Sequence, residues 1–221
     1  MEAVDRIIKF YHNNYIGINI MDNTLIQIKQ INDGHNFLRA IIDAYYTPYK
    51  CGYQIIQQQK VAFNCNEFIQ NLRSDLALKL DTEVEHHHRK YFPETYFRTV
   101  DGQELQQTYY DVLSDDSRKY SLNELQQWLN SDLPLNHELQ EYISLILEKD
   151  IYIIDIDTKL VIKTNKNLYK NRDSILLLFD KNNKNYSLLG LSDGNAIITN
   201  FNTNNPFILR LKQNTTNSNY Q

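Results

Sequence analysis

Three groups of residues in this 221-residue chain are of types that could carry chemistry. The first is Asp33, Gly34, His35 and Asn36, directly ahead of the apolar series Phe37, Leu38, Ala40, Ile41 and Ala44. Asp, Gly and Asn are also what an ordinary turn with a helix cap selects, and His35 would then face solvent or hydrogen-bond the turn. The second is His86, His87 and His88. Adjacent residues point about 100° apart on a helix and to opposite faces of a strand, so three neighbours gather poorly around a metal, and the expectation is a solvated loop with no metal. The third is the cysteine pair, Cys51 and Cys65. Two cysteines make no disulfide framework, and nothing near them has the paired spacing of a zinc site. Either could be a nucleophile served by His35 or His137, but Cys65 precedes a helix with no basic partner nearby in sequence. Buried thiols are expected.

The elements that would position these groups are written in the hydrophobic periodicity. Val4 to Tyr11 has helical spacing, and Thr24 to Ile31 alternates as a half-exposed strand. After the turn at Asn32 to Gly34 comes a mostly buried helix that stops before Pro48. Phe68, Ile69, Leu72, Leu76 and Leu80 recur at threes and fours, a helix that Asn66 could cap. Asp81 to Arg98 is polar, a loop or irregular lid, and Gly102 to Leu113 is a weaker helix. Ser121 and Glu124 form a capping box ahead of Leu125, Trp128 and Leu129. Asn136 to Lys149 is helical, and Ile151 to Ile156 is a strand rich in β-branched residues. Short strands follow at Leu160 to Lys163, Ser174 to Phe179, Tyr186 to Leu191 and Ala196 to Thr199, with another at Phe207 to Leu211; turns separate them at Asp180 to Lys184 and at Asp193 to Asn195. Helices first and strands last imply an α/β domain with a small, mostly antiparallel sheet flanked by helices. One domain is expected over residues 1–212, with a polar, frayed tail over 213–221.

The run Asp33, Gly34, His35, Asn36, Phe37, Leu38, Arg39, Ala40 resembles the signature of ovarian-tumour (OTU) deubiquitinating cysteine proteases. There Asp, Gly, Asn and the nucleophilic Cys precede Leu, Phe, Arg and Ala. That family sets its Cys at a helix N-terminus, where the dipole lowers the thiol pKa and free amides supply an oxyanion hole. Asn36 stands at the nucleophile position, and a carboxamide cannot form the thioester. The family's other landmark is a His directly before an aromatic residue, after an apolar strand and a turn. Ser174 to Phe179, Asp180 to Lys184 and then Asn185 and Tyr186 match it, with Asn185 in place of the general base. A neutral carboxamide cannot take up and return a proton near pH 7. The resemblance therefore implies a twisted α+β fold of papain-like OTU type with a degenerate triad at Asp33, Asn36 and Asn185.

The function this implies is a pseudoenzyme that binds a protein, either ubiquitin or an assembly partner. The alternative is a working cysteine protease with a displaced nucleophile at Cys51 or Cys65. A net charge of −4 offers no general attraction to phosphate backbones, so nucleic acid is not expected as a partner. No run of about 18 apolar residues suits a membrane, and the first fifteen residues do not resemble a signal peptide, so a cytoplasmic protein is expected. The tilt toward Asn, Ile, Lys and Tyr suggests an AT-rich genome such as that of a large DNA virus; host cytoplasm or virion would then be the setting and a virion component a possible partner. Tyr45, Tyr46, Tyr49 and Tyr53 could form a protein-binding face or simply pack. No cofactor is expected.

Overall fold

The computed structural model describes residues 17–20, 23–92, 94–97, 106–113, 119–158, 161–162, 170–192 and 196–217. The helix expected over Val4 to Tyr11 and the end of the tail lie outside these residues. The first strands are β1, Gly17–Ile20, and β2, Asn23–Ile28. Helix α1, Asn36–Tyr45, follows the turn, and α2, Thr47–Cys51, begins one residue later with Pro48 in its first turn, where the missing N–H costs nothing. A hairpin of β3, Tyr53–Ile56, and β4, Gln59–Ala62, leads to the long helix α3, Cys65–Lys79. Then come α4, His86–Arg89, a 3₁₀ turn at Glu94–Phe97, α5, Tyr109–Val112, α6, Leu122–Leu129, and α7, His137–Ile146. The remaining strands are β5, Lys149–Asp155, β6, Val161–Ile162, β7, Asp173–Asp180, β8, Asn185–Ser192, β9, Ile197–Ile198, and β10, Asn200–Phe201; α8, Pro206–Asn217, closes the described chain.

The main sheet runs β1-β2-β8-β7-β5-β6, with β9 on β8 and β10 on β7. Among the described residues only β5 and β7 pair in parallel; the other pairings of this sheet are antiparallel. Along the central strands the side-chain period of two divides the core. Ile151, Ile153, Ile175, Leu177 and Leu188 face a large apolar cluster that holds α1, α3 and α5 to α7. Tyr152, Ile154, Leu176, Leu178 and Leu189 face a smaller cluster closed by Phe207, Ile208 and Leu211 of α8. With both faces covered, β5 and β7 carry unbroken buried stretches, Asp150 to Ile154 and Ser174 to Leu178.

That second layer corrects the sequence reading. Phe207 to Leu211 is not a strand; Phe207, Ile208 and Leu211, spaced by one and three, are the buried stripe of a helix that runs on to Asn217, inside the stretch expected to be a tail. The cap of α3 also lies two residues earlier than expected. Asn64 accepts the Glu67 amide at 3.2 Å, and Asn66 lies exposed inside the helix. Ser121 and Glu124 form the expected capping box, with Thr108 and Asp111 forming another ahead of α5.

Candidate functional site

Asn36 is the first residue of α1 and Asn185 the first residue of β8. Across 149 positions of sequence the Asn36 Nδ2 donates to Asn185 Oδ1 at 2.7 Å. Asn36 is 2% exposed, so this bond satisfies an amide that has little access to water. Local chemistry fixes both ends. Ahead of β8, the Asp180 carboxylate accepts the amides of Asn182 and Asn183 at 3.0 and 3.2 Å, which shapes the turn that presents Asn185 opposite Asp180. Next to it, Tyr186 stacks on Phe179 with ring centroids 4.8 Å apart and meets the edge of Phe37 at 5.2 Å. Its hydroxyl accepts from Gln140 Nε2 at 2.9 Å, which ties α7 to the same corner.

Asp33 does not join the asparagine pair. Its Oδ2 takes the Arg39 fork, 3.0 Å from Nε and 2.8 Å from Nη2, and its Oδ1 accepts the His35 amide at 2.9 Å. The Asn36 amide is directed to the Asp33 carbonyl at 3.2 Å. Both amides that open α1 thus hydrogen-bond within the turn rather than standing ready for an oxyanion.

His35 is buried, which corrects the expectation of a solvent-facing or turn-bonded ring. Its Nδ1 lies 3.3 Å from Arg73 Nη1 and its Nε2 lies 3.1 Å from Asp132 Oδ1. Burial, with Arg73 nearby, lowers its pKa below the usual imidazole value. Arg73 is the residue the sequence reading passed over. From the buried face of α3 it donates to the carbonyls of Leu129, Trp128, Leu133 and Gly34 at 2.7, 2.9, 3.1 and 3.3 Å. A signal was present: Arg73 falls in the apolar row with Ile69 and Leu76, and a charge on that row demands partners. The loop Arg73 draws in presses on the turn, since a Cβ on Gly34 would lie 1.4 Å from the Asp132 carbonyl oxygen. Glycine is required there for close approach.

The cysteines are not both buried. Cys51 is exposed, and half-buried Cys65 bonds the Tyr49 carbonyl at 3.6 Å. Burial raises the Cys65 thiol pKa, the opposite of nucleophile activation. Tyr45, Tyr46 and Tyr49 pack against the core. The histidine run is a short helix in which His86 and His87 are exposed and His88 is buried, so the solvated-loop expectation fails for His88. None of the described helices is long and apolar enough to cross a membrane.

The site's two carboxamides can donate and accept hydrogen bonds but cannot attack a carbonyl or carry a proton between groups. No family model matches the sequence, and no curated protein matches it either. Among solved structures, an ovarian tumour (OTU) domain in complex with ubiquitin is similar at a TM-score of 0.50 and 18% identity, covering 94% of this chain and 96% of that one. The fold is OTU-like, with a mostly antiparallel sheet flanked by helices.

Proposed function

We propose that this chain is a pseudoenzyme: a protein-binding module whose OTU-like scaffold holds a disabled protease centre, with ubiquitin as its partner. The carrying observation is the 2.7 Å bond between Asn36 and Asn185, at the starts of α1 and β8, in a chain with this fold. In the OTU signature those two places belong to the thiol and its base. Two amides there keep the corner packed and paired while removing both the nucleophile and the proton carrier. The ubiquitin in the similar solved structure supports the choice of partner.

The test is a titration of isotope-labelled ubiquitin with the full chain, run beside incubation with a ubiquitin C-terminal electrophile. Localised shifts in the ubiquitin spectrum without covalent labelling support the reading. Labelling at Cys51 or Cys65 overturns the inactive centre, and a spectrum unmoved at high protein concentration overturns ubiquitin as partner.

A further inference from the structure

His88 has an unused valence that the rest of the fold does not explain. Its side chain is 2% exposed, and its Nδ1 lies 2.6 Å from the Tyr109 hydroxyl, which also accepts the Glu85 amide at 3.3 Å. The other ring nitrogen, Nε2, is buried and has no hydrogen-bond partner. Among the described residues the carboxylate oxygen nearest to it, Glu148 Oε1, is 4.0 Å away, too far for a hydrogen bond. An imidazole nitrogen left this way is costly unless something else occupies it.

Two more candidate ligands stand beside it. The His87 and His88 ring centroids are 4.0 Å apart despite their adjacency in sequence. His87 Nε2 lies 3.4 Å from Glu85 Oε2, and one ligand atom from each of Glu85, His87 and His88 falls within 4.8 Å of the other two. Lys79 pairs with the other Glu85 oxygen, Oε1, while Lys90 and the Tyr91 hydroxyl take Glu148 Oε1 at 3.7 and 3.1 Å. Oε2 of Glu85 is therefore left to the His87 imidazole.

We infer that Glu85, His87 and His88 form a binding site for a divalent transition-metal ion of the zinc class, with His88 Nε2 as its buried anchor. Two imidazoles and one carboxylate are the donor set such ions take, with water completing the shell. A cation on Nε2 places the remaining proton on Nδ1, which then donates to Tyr109. That is the outer-sphere bond that fixes the tautomer and orientation of a metal-bound histidine. The ion would join the start of α4 to Tyr109 of α5.

The test uses the untagged full chain after chelator treatment, titrated with zinc chloride by calorimetry, with cobalt(II) absorption as a second reading. His88 packs in the core, so the variants are the exposed ligands Glu85→Gln and His87→Ala, singly and together. One equivalent of zinc is expected, weakened ~10-fold or more by each substitution, with the His88 Nε2 resonance shifting on saturation. Absence of zinc binding to the parent chain, equal binding by the double variant, or an unmoved His88 resonance overturns the site.

Discussion

Replacing the two asparagines with the residues of a working centre, Asn36→Cys together with Asn185→His, gives the sharpest check on the geometry. In the present pair Nδ2 and Oδ1 are 2.7 Å apart. A cysteine sulfur would sit near the carboxamide carbon of Asn36, about 1.3 Å short of Nδ2, which puts it roughly 4 Å from a ring atom replacing Asn185 Oδ1. A thiolate and an imidazolium at ~4 Å attract by about 4 kcal/mol at an effective dielectric of ~20. That would lower the thiol pKa by about 3 units from ~8.5, and burial of residue 36 opposes it, so a fall of about 2 units is the expected net result. The measurement is thiolate absorbance against pH, with Cys51 and Cys65 changed to serine to clear the background and the single Asn36→Cys variant as reference. A double variant whose thiol titrates where the single variant's does would refute the claim that positions 36 and 185 form one centre.

Other outcomes follow from the same contacts. Asn185→Ala leaves the buried Asn36 amide unpaired and should lower stability by about 1–3 kcal/mol in urea unfolding; an unchanged midpoint would mean that water replaces the bond. Arg73→Met strips the donors from four backbone carbonyls and from His35, and should cost about 3–5 kcal/mol, with failure to purify as folded protein at the severe end. Gly34→Ala must displace the Asp132 backbone and should destabilise by at least ~1–3 kcal/mol; wild-type stability would deny the close approach. Burial raises the Glu141 pKa to about 7. The folded state then holds its proton more tightly than the unfolded chain, so the stabilisation is full below the usual carboxylate range and fades as pH rises toward 7. Glu141→Gln should flatten that decline, on the order of 3 kcal/mol at most.

Much of the site was legible because short-range chemistry specifies it. Asp33 and Gly34 before an apolar helix, the continuous apolar run of β7, and the Asp180 turn ahead of Asn185 each declare themselves within a few residues, and their order suggested which two amides would meet. What escaped depends on partners distant in sequence. Arg73 is a charge inside an apolar row until Gly34, Trp128, Leu129 and Leu133 supply its acceptors. His88 reads as one of three polar neighbours until Tyr109 buries it. The β3–β4 hairpin shows no alternation because Ile55, Ile56 and Val61 are all exposed. In Phe207 to Leu211 the apolar run is too short for periodicity to separate helix from strand, and only the second face of the sheet decides it.

The bond across 149 residues also sets a timetable. Helix α1 emerges from the ribosome with Phe37, Leu38 and Ile41 ready for burial, but its sheet neighbour β8 is made much later, roughly 7–30 s at ~5–20 residues per second. The β2 strand, whose Leu25 to Ile28 pair with Leu188 to Leu191, waits equally long for its partner. Through that interval the growing chain carries an uncovered apolar helix face and an unpaired strand edge, so its vulnerability to aggregation is greatest during synthesis and ends when the last third of the chain folds back.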